Sequence, residues 1–267
     1  MNADLSADTV TDGAATRRPV LLEVGARFGL RERPWAEVVD SGAVRCYLIE
    51  PDPEECRRLR RKHPRALVRQ VALGAETGPR PFYVTRHPAV ASLRRPNWDL
   101  LGQYAIRSWF EIERTTDIHV SRIDELIEAG ELEPFDFLHV DVQGFELEVL
   151  RGAGNHLRHA TGLKLELHPV PLYAGESSLF EVGSWLAELG FRMIGLQQQG
   201  PYEADFVEAN CFFVNRGQAR TPERRRFEEL FVERHGLRPA GQPELDIAHV
   251  HRRLREVEAE KLKDSQN

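Results

Sequence analysis

The 267-residue chain contains only three cysteines, two methionines and four lysines. Cys46, Cys56 and Cys211 are too few and too widely spaced for a disulfide framework or a CxxC metal knuckle. They read as reduced thiols, and the chain as cytoplasmic. Lysine is scarce because 32 of the 36 basic residues are arginine; GC-rich coding produces such a skew, and it carries no functional weight. No apolar run approaches the roughly 18 residues of a membrane-spanning helix. A net charge of −6 excludes a chain built as a whole to coat nucleic acid or an anionic membrane. The N-terminal stretch carries Asp4, Asp8 and Asp12 and no apolar block, unlike a secretion signal. What remains is ordinary for a globular fold: 41% hydrophobic and 29% charged residues. The length suffices for one large domain, or two small ones, without staples.

Residues 1–18 have little to bury and are expected to be a disordered leader. From 19 to 216, short apolar runs alternate with helical patterns. Expected strands are 20–24, 44–49, 66–73, 135–142 and 162–167, with a closing pair at 191–196 and 209–214. Phe82–Val84 and Ile118–Val120 read as additional strands in a region that breaks the rhythm. Helices are expected over 31–40, from Pro53 with Glu54 and Glu55 in its first turn, from a Ser121 cap, over 146–150, and from Ser177 or Ser178 to Leu189. The link 197–208 is too short for a helical crossover, so the last strand should run antiparallel. The alternation predicts an α/β, Rossmann-like doubly wound sheet. Residues 217–267 form a charged helical extension. Its final pattern, Ile247, Val250, Leu254 and Val257, is a narrow seam that suits either packing on its own domain or a homodimer contact.

Chemistry concentrates at strand ends. The first strand runs into Glu23-Val-Gly25-Ala-Arg-Phe-Gly29. A dinucleotide fingerprint requires G-x-G-x-x-G, but Arg27 stands where its second glycine would be. Glu50 closes the second strand, where a carboxylate can accept hydrogen bonds from both hydroxyls of a ribose. The most specific stretch is Asp141-Val-Gln143-Gly144-Phe-Glu146-Leu-Glu148-Val-Leu150-Arg151-Gly152-Ala153, at a strand-to-helix junction on the ligand-binding edge.

The E-x-G-x-x-x-G loop resembles the first motif of S-adenosylmethionine-dependent methyltransferases. With Tyr47–Pro51, Val71–Gly74, Ala91–Leu93, Glu166, Leu172–Gly175 and above all the 141–153 run, residues 20–215 resemble the FkbM-type methyltransferase family. The resemblance implies a seven-stranded sheet of the class I methyltransferase type and S-adenosylmethionine as cofactor. It also implies O-methylation of a small-molecule acceptor such as a sugar or natural-product hydroxyl. By the same resemblance Glu23, Gly25, Ala26 and Gly29 form the cofactor loop, Glu50 holds the ribose, and Val71 and Ala72 flank the adenine. Ser92 faces the cofactor pocket, and Asp141, also counted with the cofactor residues, lies near the methionine end or the transferred methyl. One departure stands out: members commonly carry Asn where this chain has Arg27.

Methyl transfer to an alcohol benefits from a general base. His168, Asp141, Glu146 and Glu166 are the candidates, with His168 favoured as base because neutral imidazole is available near pH 7; Glu166 and Glu146 could instead orient the acceptor or close a structural hydrogen bond. The same Asp141, Glu166 and His168 suit a divalent metal in residue type, but no tight spacing supports one, and no metal is expected. Four aromatics, Trp98, Tyr104, Trp109 and Phe110, suggest a lid over 94–115 or, equally, an enlarged core. Arg94, Arg95 and Arg107 could meet an anionic acceptor. Two other classes compete: a nicotinamide-dependent oxidoreductase, disfavoured by Arg27 and the terminal hairpin, and a non-catalytic partner-binding protein of the same fold.

Overall fold

The computed structural model describes residues 17–30, 33–200, 202 and 205–237. The 247–257 seam and residues 1–16 of the leader lie outside them. In chain order the elements are β1 (Val20–Val24), α1 (Arg33–Asp40), β2 (Arg45–Ile49), α2 (Pro53–Lys62), β3 (Leu67–Arg69), β4 (Ala72–Leu73), β5 (Gly78–Thr85), α3 (Trp98–Leu101), β6 (Ile112–Ser121) and α4 (Ile123–Glu128). They continue with β7 (Phe137–Val140), α5 (Glu146–Gly152), β8 (Gly162–Leu167), α6 (Leu179–Glu188), β9 (Phe191–Gln199), β10 (Glu208–Asn215) and α7 (Pro222–Arg234).

Seven strands form one sheet in the order β3-β2-β1-β7-β8-β10-β9. β1 pairs in parallel with β2 and β7, and β7 with β8. β10 is antiparallel to both β8 and β9, as the short link before it predicts. Successive side chains of a strand face opposite sides. Leu22 and Val24 of β1 therefore join a core with Leu150 of α5 and Leu186 of α6. Leu21 joins a second core with Trp35 of α1, Leu59 of α2 and Phe231 of α7. Helices thus cover both faces. The charged region after 217 contributes to that second core: Phe231 stacks on Phe137 at 5.8 Å. Arg17, at the end of the expected leader, is held by Asp136 at 2.8 and 2.6 Å. Cys46, Cys56 and Cys211 are all free and buried.

Two expectations need correction. The run 66–73 is not one strand. Leu67–Arg69 pairs with β2, whereas Ala72–Leu73 pairs with β6 in a separate three-stranded sheet, β4-β6-β5. A continuous apolar run gives no sign that its two halves pair with different sheets. Ser121 is not a helix cap: it ends β6 opposite Leu73, and Arg122 takes the N-cap of α4 without a side-chain bond. Elsewhere the caps agree with the sequence. Asp52 accepts from the N–H groups of Glu54 and Glu55 ahead of Pro53, and Ser178 forms a capping box with Glu181.

Gly152 tests how β4 is fastened. Inside a helix, alanine is ordinarily better than glycine by about 0.5–1 kcal/mol. Here a Cβ would lie 2.0 Å from the Gly74 carbonyl oxygen, backbone against backbone. Gly152→Ala is expected to lower stability by about 1–3 kcal/mol in urea denaturation. A raised or unchanged midpoint would show that α5 and the end of β4 are not in contact.

Candidate functional site

The strand order reverses between β1 and β7, and open α/β sheets bind ligands in the crevice at that point. A cavity of about 560 Å³ opens there, within the roughly 300–1,000 Å³ of small-molecule sites. Its floor is made by Gly25, Glu50, Val71, Ala72 and the loop Asp141–Gln143. Its cover comes from the β5–β6 hairpin, through Phe82, Val84, Arg114, Thr116 and Ile118.

The floor depends on close backbone approach. Gly25 has φ +80°, and a Cβ on it would sit 1.9 Å from the Asp141 carbonyl oxygen. The N–H groups of Gly25 and Ala26 both donate to the Ile49 carbonyl, at 3.1 and 3.0 Å. Gly29 closes the turn through its N–H to the Ala26 carbonyl at 2.7 Å. Ala26 and Gly29 shape the loop without lining the cavity, while Arg27 and Phe28 do line it. Glu23 points away from it: His139 Nδ1 lies 2.8 Å from the Glu23 carboxylate. Arg27 reaches Asp52 Oδ2 at 2.9 Å, which ties the loop to the start of α2.

Glu50 is buried, with one backbone N–H, that of Asp52, donating to it at 2.9 Å. Burial outweighs that bond and pushes its carboxyl up to about 7. A carboxylate at a strand end with so few internal donors is suited to accept hydrogen bonds from a ligand diol.

Gln143 is the one non-glycine among the described residues with positive φ, +60°, a conformation that costs of order 1 kcal/mol or more. Four neighbours hold it there. Its Nε2 donates to Asp141 Oδ1 at 2.9 Å and to Glu166, and Tyr173 donates to its Oε1 at 2.8 Å. Ser92 Oγ donates to its carbonyl at 2.6 Å. Ser92 therefore acts on the cavity through Gln143, while its neighbours Ala91 and Leu93 line the wall. Glu146 is buried and accepts from the N–H groups of Val142 and Gly144, which fixes the same loop; burial pushes its carboxyl up to about 8.

Glu166 and His168 lie behind this loop and do not line the cavity. Both are buried, and His168 Nδ1 sits 3.1 Å from Glu176. The four aromatics of 94–115 do not line it either. Tyr104 and Phe110 are core residues of a cluster with Tyr173 and Tyr202, Trp109 stacks on His87, and Trp98 is exposed. The enlarged-core alternative thus describes Tyr104 and Phe110, whereas Trp98 and Trp109 are exposed. Arg94 is engaged by Glu148 at 2.6 Å, Arg95 lies over the Tyr83 ring, and Arg107 donates to the Gly102 carbonyl. Sequence reasoning missed the covering residues of the hairpin. The signal was there: Phe82 and Val84, and Arg114, Thr116 and Ile118, each follow the two-residue period of a strand face.

A family model, the Methyltransferase FkbM domain, matches residues 23–193. The 2-O-methyltransferase NoeI of Sinorhizobium fredii is 26% identical over 173 residues, spanning 60% of this chain and 68% of that protein. Among solved structures, a TehB-like SAM-dependent methyltransferase of Corynebacterium glutamicum has 9% identity and a TM-score of 0.34, covering 75% of this chain and 82% of its own. Among the described residues no helix is long and apolar enough to cross a membrane.

The ionised form of Glu50 is the better acceptor for a ribose diol. Cofactor affinity measured by calorimetry should therefore rise as pH increases through about 7. Glu50→Gln should flatten that dependence and weaken binding about 10–100-fold, the worth of a charged hydrogen bond. A pH-independent wild-type affinity would remove Glu50 from the ribose site.

Proposed function

The chain belongs to the FkbM methyltransferase family and its cofactor is S-adenosylmethionine; we propose that it O-methylates a hydroxyl of a sugar or natural-product small molecule. The observation that carries this reading is the constrained loop Asp141–Gln143 at the cavity floor, beside a glycine turn that admits no side chain. The likeness to a relative named for 2-O-methylation supports oxygen as the acceptor atom.

The cofactor, when bound, supplies an electrophilic methyl group on a sulfonium. The residues present suit it. Gly25 leaves the loop backbone open to the methionine part, Glu50 takes the ribose diol, and Val71 and Ala72 give an apolar edge for the base. Asp141 is the acid that lines the cavity next to Gln143, and its carboxylate is the group proposed to meet the acceptor hydroxyl. Holding the two reactants in line supplies as much as about 7–11 kcal/mol of the barrier. Accepting the hydroxyl proton adds roughly 10²–10⁴-fold. Glu166 acts through Gln143, and His168 one residue further back, as positioning residues.

Incubation with S-adenosylmethionine and a panel of sugar and polyketide alcohols, read by mass spectrometry, should yield an acid-stable methyl ether and one equivalent of demethylated cofactor. Asp141→Asn should cut turnover by about 10²-fold or more while cofactor binding is retained. Methyl transfer only to nitrogen or carbon acceptors, or cofactor binding with no transfer to any acceptor, would overturn the reading in favour of another methylation or of partner binding.

A further inference from the structure

Behind Gln143 lies a buried group of acids that does not line the cavity. Glu176 accepts from the N–H groups of Leu172 and Tyr173, at 3.0 and 3.1 Å, and faces His168 Nδ1 at 3.1 Å. An acceptor already held by two donors fixes the imidazole as the Nδ1–H tautomer. In the neutral ring Nε2 then carries the lone pair. The His168 side chain is 1% exposed, and this nitrogen has no hydrogen-bond partner among the described residues. It points at Glu208 Oε2, 3.9 Å away. Glu166, His168 and Glu208 each offer one donor atom, all within 4.8 Å of one another.

A buried imidazole nitrogen beside two carboxylate oxygens is a donor set that suits a cation. We propose that Glu166, His168 Nε2 and Glu208 bind a divalent cation. Two carboxylate oxygens and one imidazole nitrogen favour Mn²⁺ or Zn²⁺ over Mg²⁺ or Ca²⁺. Each ligand is held from behind. Glu176 fixes the far nitrogen of His168, in the carboxylate–histidine arrangement common to metal sites. Tyr202 donates to Glu208 at 3.0 Å, and Gln143 to Glu166. The antiparallel direction of β10 is what brings its first residue, Glu208, to the edge where β8 ends. The ion would thus brace Glu166 and, through it, the Gln143 side chain on the cavity wall. Neither the acceptor nor oxygen methylation enters this assignment, so the two can fail separately.

A second proton on His168 is the competing occupant. Burial opposes it, but Glu176, Glu146 and Glu208 outweigh burial and raise the affinity of the ring for a proton. The full chain, stripped with a chelator and desalted, is titrated with Mn²⁺ and followed by electron paramagnetic resonance. One Mn²⁺ per chain with coupling to a histidine nitrogen is expected. Glu176→Gln should weaken binding about 10–100-fold, and His168→Gln and Glu208→Gln should each abolish it. In the wild type, saturating Zn²⁺ should shift His168 Nε2 to the metal-bound position in ¹⁵N NMR, a readout that needs no variant. Failure to bind either ion, binding that survives both ligand substitutions, or a doubly protonated His168 in saturating Zn²⁺ would each overturn the site.

Discussion

Adjacent parallel strands β1 and β7 end side by side at Val24 and Val140, and both chains must leave the sheet through the same space. They do so only because residue 25 has no side chain. With a Cβ 1.9 Å from the Asp141 carbonyl, any other residue would drive the two loops apart. Closeness there has further effects. The N–H groups of Gly25 and Ala26 fall under the last carbonyl of β2, so the glycine loop is tied to the strand that leads into Glu50. Asp141 is kept on the rim, two residues before the left-handed Gln143 that its side chain helps to hold. Three strand ends thus become one surface, and one missing methyl group is the condition for all of them.

The electrostatics of that surface follow from how many donors each buried acid finds. Transferring a carboxylate from water is costly unless hydrogen bonds replace its hydration. Glu176 has two backbone N–H groups and an imidazole. Glu146 has two N–H groups from the loop it closes but is wholly enclosed, and its carboxyl rises to about 8. Glu50 has one N–H and rises to about 7. Of the three only Glu50 lines the cavity, where it can take further donors from a ligand. The exposed ion pairs elsewhere, such as Arg57 with Glu54, are worth a few tenths of a kcal/mol at most.

The central strands were legible because burial on both faces leaves near-continuous apolar runs, and because glycine at 25 and 144 marks where each run must turn. The Asp141–Ala153 stretch was legible because its polar residues are confined to a few positions fixed by the turn. What the sequence hid was long-range. Nothing in the apolar run 66–73 tells that β3 and β4 belong to different sheets. Nothing near Glu208 tells that an antiparallel strand returns it to Glu166, which is 42 positions away in the numbering. The aromatics of 94–115 carried an ambiguous signal, since large rings serve a core and a lid equally well. Their partners, Tyr173 and Tyr202, come from distant segments.

Arg27 shows how a departure from a motif is absorbed. An arginine beside a cationic cofactor is unfavourable if its charge stands alone. Here the guanidinium meets Asp52 at 2.9 Å, in a pair whose side chains are 22% and 35% exposed. The same carboxylate caps α2 through the N–H groups of Glu54 and Glu55. Asp52 therefore answers two sets of donors, the positive end of a helix and the arginine of the loop, and leaves little net charge facing the cavity. The pair also fixes the loop to the next structural element by a side-chain bond. The glycine loop accommodates Arg27 because the helix start that follows β2 carries the matching acid.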